Sequence, residues 1–385
     1  MSEDVIYLDY AATTPLDPRV RAAMLAILAA PAGNPSATHA PGRAARAQVE
    51  AARAEVAALI AAPAAAIVFT SGATESDNLA ILGAMRANAA RGRHFITART
   101  EHRAVLDAAR QLEREGFAVT RLTPASDGLL DPAALAAALT AGSTLVSVML
   151  VNNETGVLQD IAAIAALCRR HGALLHVDAA QAAGRVAIDV EALDVDLLSL
   201  SAHKIHGPAG VGALYVRRAP RPALTPLQFG GGQEGGLRSG TLATHQVVGM
   251  GAAFRIAAEE GAAEATRLGA LRDRLWSGIA TLPGILLNGH AKRRAPHILN
   301  FSVAGVDGES LVYALEGLAA ASGAACSADH GEPSYVLRAL GRDDALAQAS
   351  LRLSVGRPTT AEEIDAAIGR VRRAVLQLRA LAPLP

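Results

Sequence analysis

Cysteine is scarce in this sequence: Cys168 and Cys326 are the only two among 385 residues. That excludes a disulfide framework and points to reduced thiols. An excess of either charge is missing too, since 36 Lys and Arg stand against 36 Asp and Glu. Without a net field or a block of like charge, nothing recruits nucleic acid or an anionic membrane. Long apolar runs are also absent. Although 51% of the residues are hydrophobic, much of that is alanine, and no stretch of roughly 18 apolar residues runs unbroken, so no membrane span is expected. The opening Met1-Ser2-Glu3-Asp4 lacks the basic start and apolar stretch of a secretory signal. The expectation is a cytoplasmic chain whose partner is a small molecule.

What is present is an alternation. Strand-like runs at 67–70, 94–97, 144–151, 174–178, 196–201 and 212–216 are interleaved with helical runs from about 75, at 104–115 and at 161–172. This pattern predicts a mostly parallel sheet covered by helices on both faces, with catalytic groups at the carboxyl ends of its strands. After about Ala257 the texture changes to a long helical stretch through Ile279. Short strands at 285–287 and 297–303, a helix at 309–318 and a C-terminal helix from Ala361 follow. A chain this long exceeds what one core usually serves. The expected division is a large cofactor-binding α/β domain over 16–256 and a small α+β domain made of 1–15 with 257–385. No internal repeat is present, and the alanine-rich runs 43–60 and 132–141 read as surface helices.

Five strand ends carry residues suited to one ligand. After 67–70 comes Ser71-Gly72-Ala73-Thr74-Glu75, a turn opening a helix, where N–H groups, hydroxyls and the helix dipole suit a phosphate. The glycine-lysine pair of a Walker loop is absent, and Thr74 or Ser71 also suits a plain helix N-cap. Glu101-His102 follows 94–97; His102 fits stacking on a flat ring or moving protons, and equally a structural helix start. Asn152-Asn153-Glu154-Thr155-Gly156 follows 144–151, with amides that bind a ring hydroxyl or make a turn. Asp178 ends an apolar strand, where a carboxylate bears a desolvation cost unless it meets a cation such as a protonated pyridine nitrogen. A helix N-cap or an ion pair would serve it as well, and Gln181 alone reads as a surface amide. Lys204, between Ser201, His203 and Gly207-Pro208, stands where an enzyme would put a Schiff-base amine. Each residue has an ordinary reading by itself. Together they supply phosphate donors, a ring stacker, a partner for a ring oxygen, an acid for a ring nitrogen and a Schiff-base lysine, which is what pyridoxal 5'-phosphate requires.

The two cysteines differ in setting. Cys326 lies in Ala320-Ala321-Ser322-Gly323-Ala324-Ala325-Cys326-Ser327-Ala328, small residues without the bulk to pin it into a core, so an accessible loop thiol is expected. Cys168, in the helical Ile164-Ala165-Ala166-Leu167-Cys168-Arg169, reads as a small buried hydrophobe. Cys326 is therefore the expected reactive thiol.

These residues fall within longer stretches that resemble the pyridoxal-phosphate-dependent cysteine desulfurases of nitrogen fixation and iron–sulfur cluster assembly, a branch of the class V aminotransferases. The resemblance runs through Tyr7–Pro15, Gly33-Asn34-Pro35-Ser36, Thr70–Asn78, Glu101-His102, Asn152–Gly156, His176–Gln181, Ser201–Pro208, Gly230–Thr241, Ser322–Cys326 and Pro333–Arg338. It implies fold type I of the pyridoxal-phosphate enzymes, aspartate aminotransferase-like, with a seven-stranded type of sheet. It also implies a substrate, L-cysteine, converted to L-alanine with a persulfide left on Cys326, and no metal. In that scheme Lys204 forms the Schiff base, His102 stacks and relays protons, Asp178 pairs with the ring nitrogen and Gln181 with the ring oxygen. Gly72, Ala73, Thr74, Ser201 and His203 hold the phosphate, Asn153 contributes to cofactor and substrate, and Arg352, with Asn34 nearby, binds the substrate carboxylate. Thr241 would reach the phosphate across the interface of a homodimer. Sulfur would leave to an acceptor protein, an iron–sulfur scaffold or a thiolation factor. A selenocysteine lyase or a class V aminotransferase is the alternative of the same fold. Two departures from the pattern stand out: His206 where many relatives have tyrosine, and a chain that ends at Pro385 without an extended scaffold-docking tail.

Overall fold

The structure, a computed structural model, describes residues 5–322 and 332–381. Its central seven-stranded sheet has the spatial order Ile67–Thr70, Gly212–Val216, Leu197–Ser201, Leu174–Asp178, Ser143–Met149, His94–Ala98, Ala118–Leu122. Gly212–Val216 is antiparallel to both its neighbours, and the other pairings are parallel. Four of these strands, Ile67–Thr70, Ser143–Met149, Leu197–Ser201 and Gly212–Val216, are buried at every residue, as helices on both faces require. The edge strand Ala118–Leu122 is largely half-exposed, so its sequence carries no apolar run to announce it.

Local signals fix the helix ends. Helix Ile161–His171 starts where the Asp160 side chain accepts from Ala163 N and stops at Gly172 with φ 66°. Its last turn holds Arg169, Arg170 and His171, cations that suit the negative end of the helix dipole. The helix expected over 309–318 is shorter, Gly308–Tyr313. Gly317, at φ 71°, turns the chain into the strand Leu318–Ala319, which pairs in parallel with Ile6–Tyr7. The run 132–141 likewise yields only Pro132–Ala138.

A second sheet, antiparallel throughout, has the order Ala321–Ser322, Ser350–Ser354, Ile298–Val303, Ile285–Leu287. One continuous helix, Thr244–Ile279, joins the two sheets, so the texture change near Ala257 is not a helix start. Its first half places Val247, Met250 and Phe254 in the core of the large sheet. Its second half places Leu268, Leu271, Leu275 and Ile279 in a separate core with Leu299, Phe301 and Leu353. Among the described residues no helix is long and apolar enough to cross a membrane.

The N-terminal segment acts as a strap between the sheets. Asp9 bridges to Ser354, and Ala11 N donates to Ser354 Oγ at 2.8 Å. Further along, the Thr14 hydroxyl donates to His203 O at 2.9 Å and accepts from His206 N at 2.7 Å. His206 adopts φ 65° there and its Nδ1 meets Pro15 O at 2.9 Å. Histidine is among the few side chains that visit this left-handed region with any frequency. The strap thus holds the loop that carries Lys204.

Candidate active site

The carboxyl ends of the large sheet, the strap and the second sheet enclose a cavity of about 500 Å³. At one end the opening turn of helix Ala73–Ala87, from Ser71 to Glu75, lines it together with Ser201 and His203. No side chain caps that helix, so the N-cap reading of Ser71 and Thr74 does not apply; Ser71 N donates to Glu75 Oε2 at 2.7 Å and Gly72 N to Thr70 Oγ1 at 3.4 Å, and the first N–H groups of the helix itself remain for an anion. A Cβ on Gly212 would lie 2.6 Å from Gly72 Cα; only glycine lets the strand approach the turn this closely. Burial and the neighbouring Lys204 push His203 down to about 4, leaving its ring neutral, with Nδ1 at 3.1 Å from Thr13 Oγ1.

Asp178 forms the floor. Its Oδ1 accepts from Ala180 N at 2.9 Å, and its pKa is raised by burial, against which His102 and Lys204 pull. Two more acids lie buried beside it, Asp77 and Glu101, both pushed well up by burial and by the charge of Asp178. Neither Asp77 oxygen nor Glu101 Oε2 has a hydrogen-bond partner among the described residues. Three buried carboxyls with so few donors oppose one another's ionisation and leave a place for a cation. A flat cation such as a pyridinium ring fits it, because the cation restores the ionised form of Asp178.

His102 N-caps helix Arg103–Arg114: its Nδ1 accepts from Ala104 N at 3.2 Å. Burial lowers its pKa, so the ring is neutral and carries its proton on Nε2. His102 thus caps a helix and also lines the cavity, so the cap does not take it away from the site. Lys204 Nζ donates to Ala11 O at 2.8 Å and Ala12 O at 2.7 Å, and Gln181 Nε2 donates to Ala11 O at 2.7 Å. Gln181 is buried, not a surface amide.

Arg352, in strand Ser350–Ser354, closes the opposite side. Its Nη1 donates to Asn153 O at 2.8 Å and its Nη2 to Asp9 Oδ1 at 2.8 Å. Asn153, Asp9 and Arg352 all line the cavity. Behind them Glu154 is fully buried, its carboxyl raised to about 7 by burial, with Oε2 accepting from Ser334 Oγ at 2.5 Å.

The structure therefore gathers Gly72, Ala73, Thr74, His102, Asn153, Asp178, Gln181, Ser201, His203, Lys204 and Arg352 around one cavity. Asn34 and Thr241 are not among its lining residues in a single chain and are exposed. Cys326 lies outside the described residues. Cys168 is buried in helix Ile161–His171 and its thiol is pushed up to about 12, chiefly by burial. Sequence reading assigned no role to Asp9, Asp77, Glu101 or the carbonyls of Ala11 and Ala12. Asp9 and Asp77 lie in stretches that resemble the desulfurases, but nothing near them in sequence says that they face Lys204 or Asp178.

The class-V aminotransferase family matches this chain over residues 6–367. The cysteine desulfurase IscS of Methylococcus capsulatus is 57% identical over 380 residues, covering 98% of this chain and 94% of that protein. The IscS of Azotobacter vinelandii is 57% identical over 382 residues, covering 98% and 95%. Among solved structures, a NifS-like protein superposes with TM-score 0.90 at 34% identity, over 97% of this chain and 100% of that one. SspA in complex with cysteine aligns with TM-score 0.81 at 35% identity, over 91% and 98%. The chain belongs to the class-V aminotransferases, pyridoxal-phosphate-dependent enzymes of fold type I, and within them to the NifS/IscS type of cysteine desulfurase.

Proposed function

We propose that this cavity converts L-cysteine to L-alanine and that Cys326 carries the sulfur away as a persulfide. The protein is a pyridoxal-phosphate-dependent cysteine desulfurase supplying sulfur for iron–sulfur cluster assembly. The observation that carries the division of roles is the convergence of Lys204, Asp178, His102 and an uncapped helix turn on one cavity whose far side holds Arg352. A selenocysteine lyase or an aminotransferase of the same fold is not favoured by the named relatives.

Bound pyridoxal 5'-phosphate supplies an aldehyde for the substrate amine and a sink for the electrons of the substrate's α-carbon. The protein's residues do the rest. Gly72, Ala73, Thr74, Ser201 and His203 hold the phosphate, Asp178 keeps its negative charge against the ring nitrogen, and Gln181 donates to the ring oxygen. His102 stacks on the ring, and its Nε2 proton serves transfers within the closed site. Lys204 Nζ takes the proton from the substrate α-carbon. Arg352 meets the substrate carboxylate through its planar fork, with Asn153 beside it, and Asn34 is read as a further substrate contact. The Cys326 thiolate then attacks the substrate sulfur: a sulfur–sulfur bond forms, the carbon–sulfur bond breaks with its electron pair left on carbon, Cβ takes up one proton, and Lys204 Nζ returns the α-proton to the α-carbon to complete L-alanine.

The reading extends to a homodimer. Support comes from Thr241, exposed in one chain in a segment anchored by Arg238 to Glu75 at 2.8 Å, and from Phe229, 82% exposed nearby. Thr241 then serves the partner's phosphate site. The domain division into 16–256 and 1–15 with 257–385 belongs to the same reading and is supported by the two separate cores on either half of helix Thr244–Ile279. A thiol that must stay reduced calls for the cytoplasm, and the acceptor is an iron–sulfur scaffold or a thiolation factor.

The test is to give the loaded enzyme L-cysteine and to follow alanine, sulfide and protein mass. With a dithiol added to reduce the persulfide, alanine and sulfide are expected in equal amounts; without it, one extra sulfur is expected on Cys326 and none on Cys168. Cys326→Ala should stop sulfide release; undiminished sulfide from that variant would overturn the role of Cys326.

A further inference from the structure

The guanidinium of Arg352 is already partnered before any substrate arrives. Asp9 Oδ1 lies 2.8 Å from Nη2, and the arginine side chain is 5% exposed against 23% for the aspartate. Nη1 goes to Asn153 O, while Nε is buried and has no partner among the described residues. The fork thus holds one carboxylate, with donors still unspent along its edge. Both residues face the cavity, so a substrate carboxylate that reaches Arg352 meets the charge of Asp9 beside it. Asp9 itself is fixed from both sides along the chain: its backbone bridges to Ser354 in the strand that carries Arg352, and its carbonyl accepts from Tyr7 OH at 3.2 Å.

We propose that Asp9 is a positioning residue that sets the strength of the carboxylate site. It holds the Arg352 fork in place in the free enzyme and competes with the α-carboxylate of substrate and product for it. This rests on the reading of Arg352 as the carboxylate site. The chemical reason for such an arrangement lies in the reaction: L-cysteine and L-alanine carry the same carboxylate, so a stronger hold on it would bind both equally. Uniform binding lowers KM without raising kcat, and it delays product departure. A built-in competitor keeps that hold weak while preserving the geometry of the fork.

Equilibrium binding of L-alanine to the cofactor-loaded enzyme, measured by calorimetry, tests the proposal. Asp9→Asn keeps the shape and removes the charge, and its dissociation constant for L-alanine should fall about tenfold, or roughly 1.4 kcal/mol. KM for L-cysteine should fall in step while kcat stays level or drops as product leaves more slowly. Asp9→Glu, which keeps the charge, should bind L-alanine as the parent does. In the Arg352→Gln background, Asp9→Asn should bring no gain, because the competition has lost its object. A parent-like or weaker affinity in Asp9→Asn overturns the proposal. Should that variant fail to fold, Asp9→Ser answers the same question by the same criterion. Unchanged L-alanine binding in Arg352→Gln alone would instead overturn the carboxylate reading of Arg352, so the two failures are distinguishable.

Discussion

The two walls of the cavity were built in different ways. On one side Thr74, His102, Asp178, Ser201 and Lys204 each sit at or just beyond the carboxyl end of a strand of the large sheet. On the other, Arg352 comes from the middle of a strand in the second sheet, and Asp9 from a strap more than 340 residues away in sequence. The first wall is a product of topology: parallel strands deliver their ends to one edge, whatever the loops contain. The second is a product of docking, and its side chains are held by one another. Arg352 leans on Asp9 and Asn153 O, and Glu154 on Ser334. The comparison assigns chemistry to the strand-end wall and substrate affinity to the docked wall.

The largest effect should come from the strand ends. Lys204→Ala removes the group proposed to take the α-proton, and kcat for alanine formation should drop by about ten-thousandfold. A variant that keeps even a tenth of the parental kcat would break the division between the walls. Next comes the docked wall, where Arg352→Gln deletes a charged hydrogen-bond donor. KM for L-cysteine should rise about 10- to 100-fold, at roughly 1.5–3 kcal/mol for such bonds, with a smaller change in kcat. An equal fall in kcat with KM unmoved would place Arg352 in the chemistry instead.

Glu154 sharpens the comparison through pH. Its folded pKa, about 7, lies above the ordinary 4.5 because burial disfavours the charge. Between those values the native protein keeps a proton that the unfolded chain releases, so Glu154 makes stability fall as pH rises through this window. The penalty approaches about 3 kcal/mol above pH 7, at roughly 1.4 kcal/mol per unit. Glu154→Gln, whose carbonyl can still accept from Ser334, should recover much of it at pH 8 and nothing at pH 4. Urea unfolding at both values checks this, and parallel pH profiles for the two proteins would count against it. The smallest effect belongs to Cys168, fully buried and away from both walls. Cys168→Ala should cost about 1 kcal/mol of stability through lost packing and leave alanine and sulfide release unchanged; reduced sulfide release would bring Cys168 into the chemistry.

Much of the strand-end wall was legible because its signals are local. Strands 67–70, 174–178 and 212–216 coincide with the observed ones, and the run 174–178 ends in Asp178 at the cavity. The misreadings were local as well. The edge strand Ala118–Leu122 has no apolar run, and the helix ending at Tyr313 gives way where Gly317 turns the chain. His102 illustrates a different limit, because capping a helix and lining the cavity looked like alternatives and are compatible.

The sequence alone determined the mostly parallel sheet, the strand ends that meet at the cavity and the buried helical setting of Cys168, because these follow from periodicity, breakers and residue type within a few positions. Only the tertiary structure decided that Asp77 and Glu101 lie buried beside Asp178, that Ala11 and Ala12 offer their carbonyls to Lys204, and that Asp9 already occupies Arg352. Those are Coulombic and hydrogen-bonded relations, set by distances of a few ångströms between residues far apart in the chain, and no pattern along the sequence encodes such a distance.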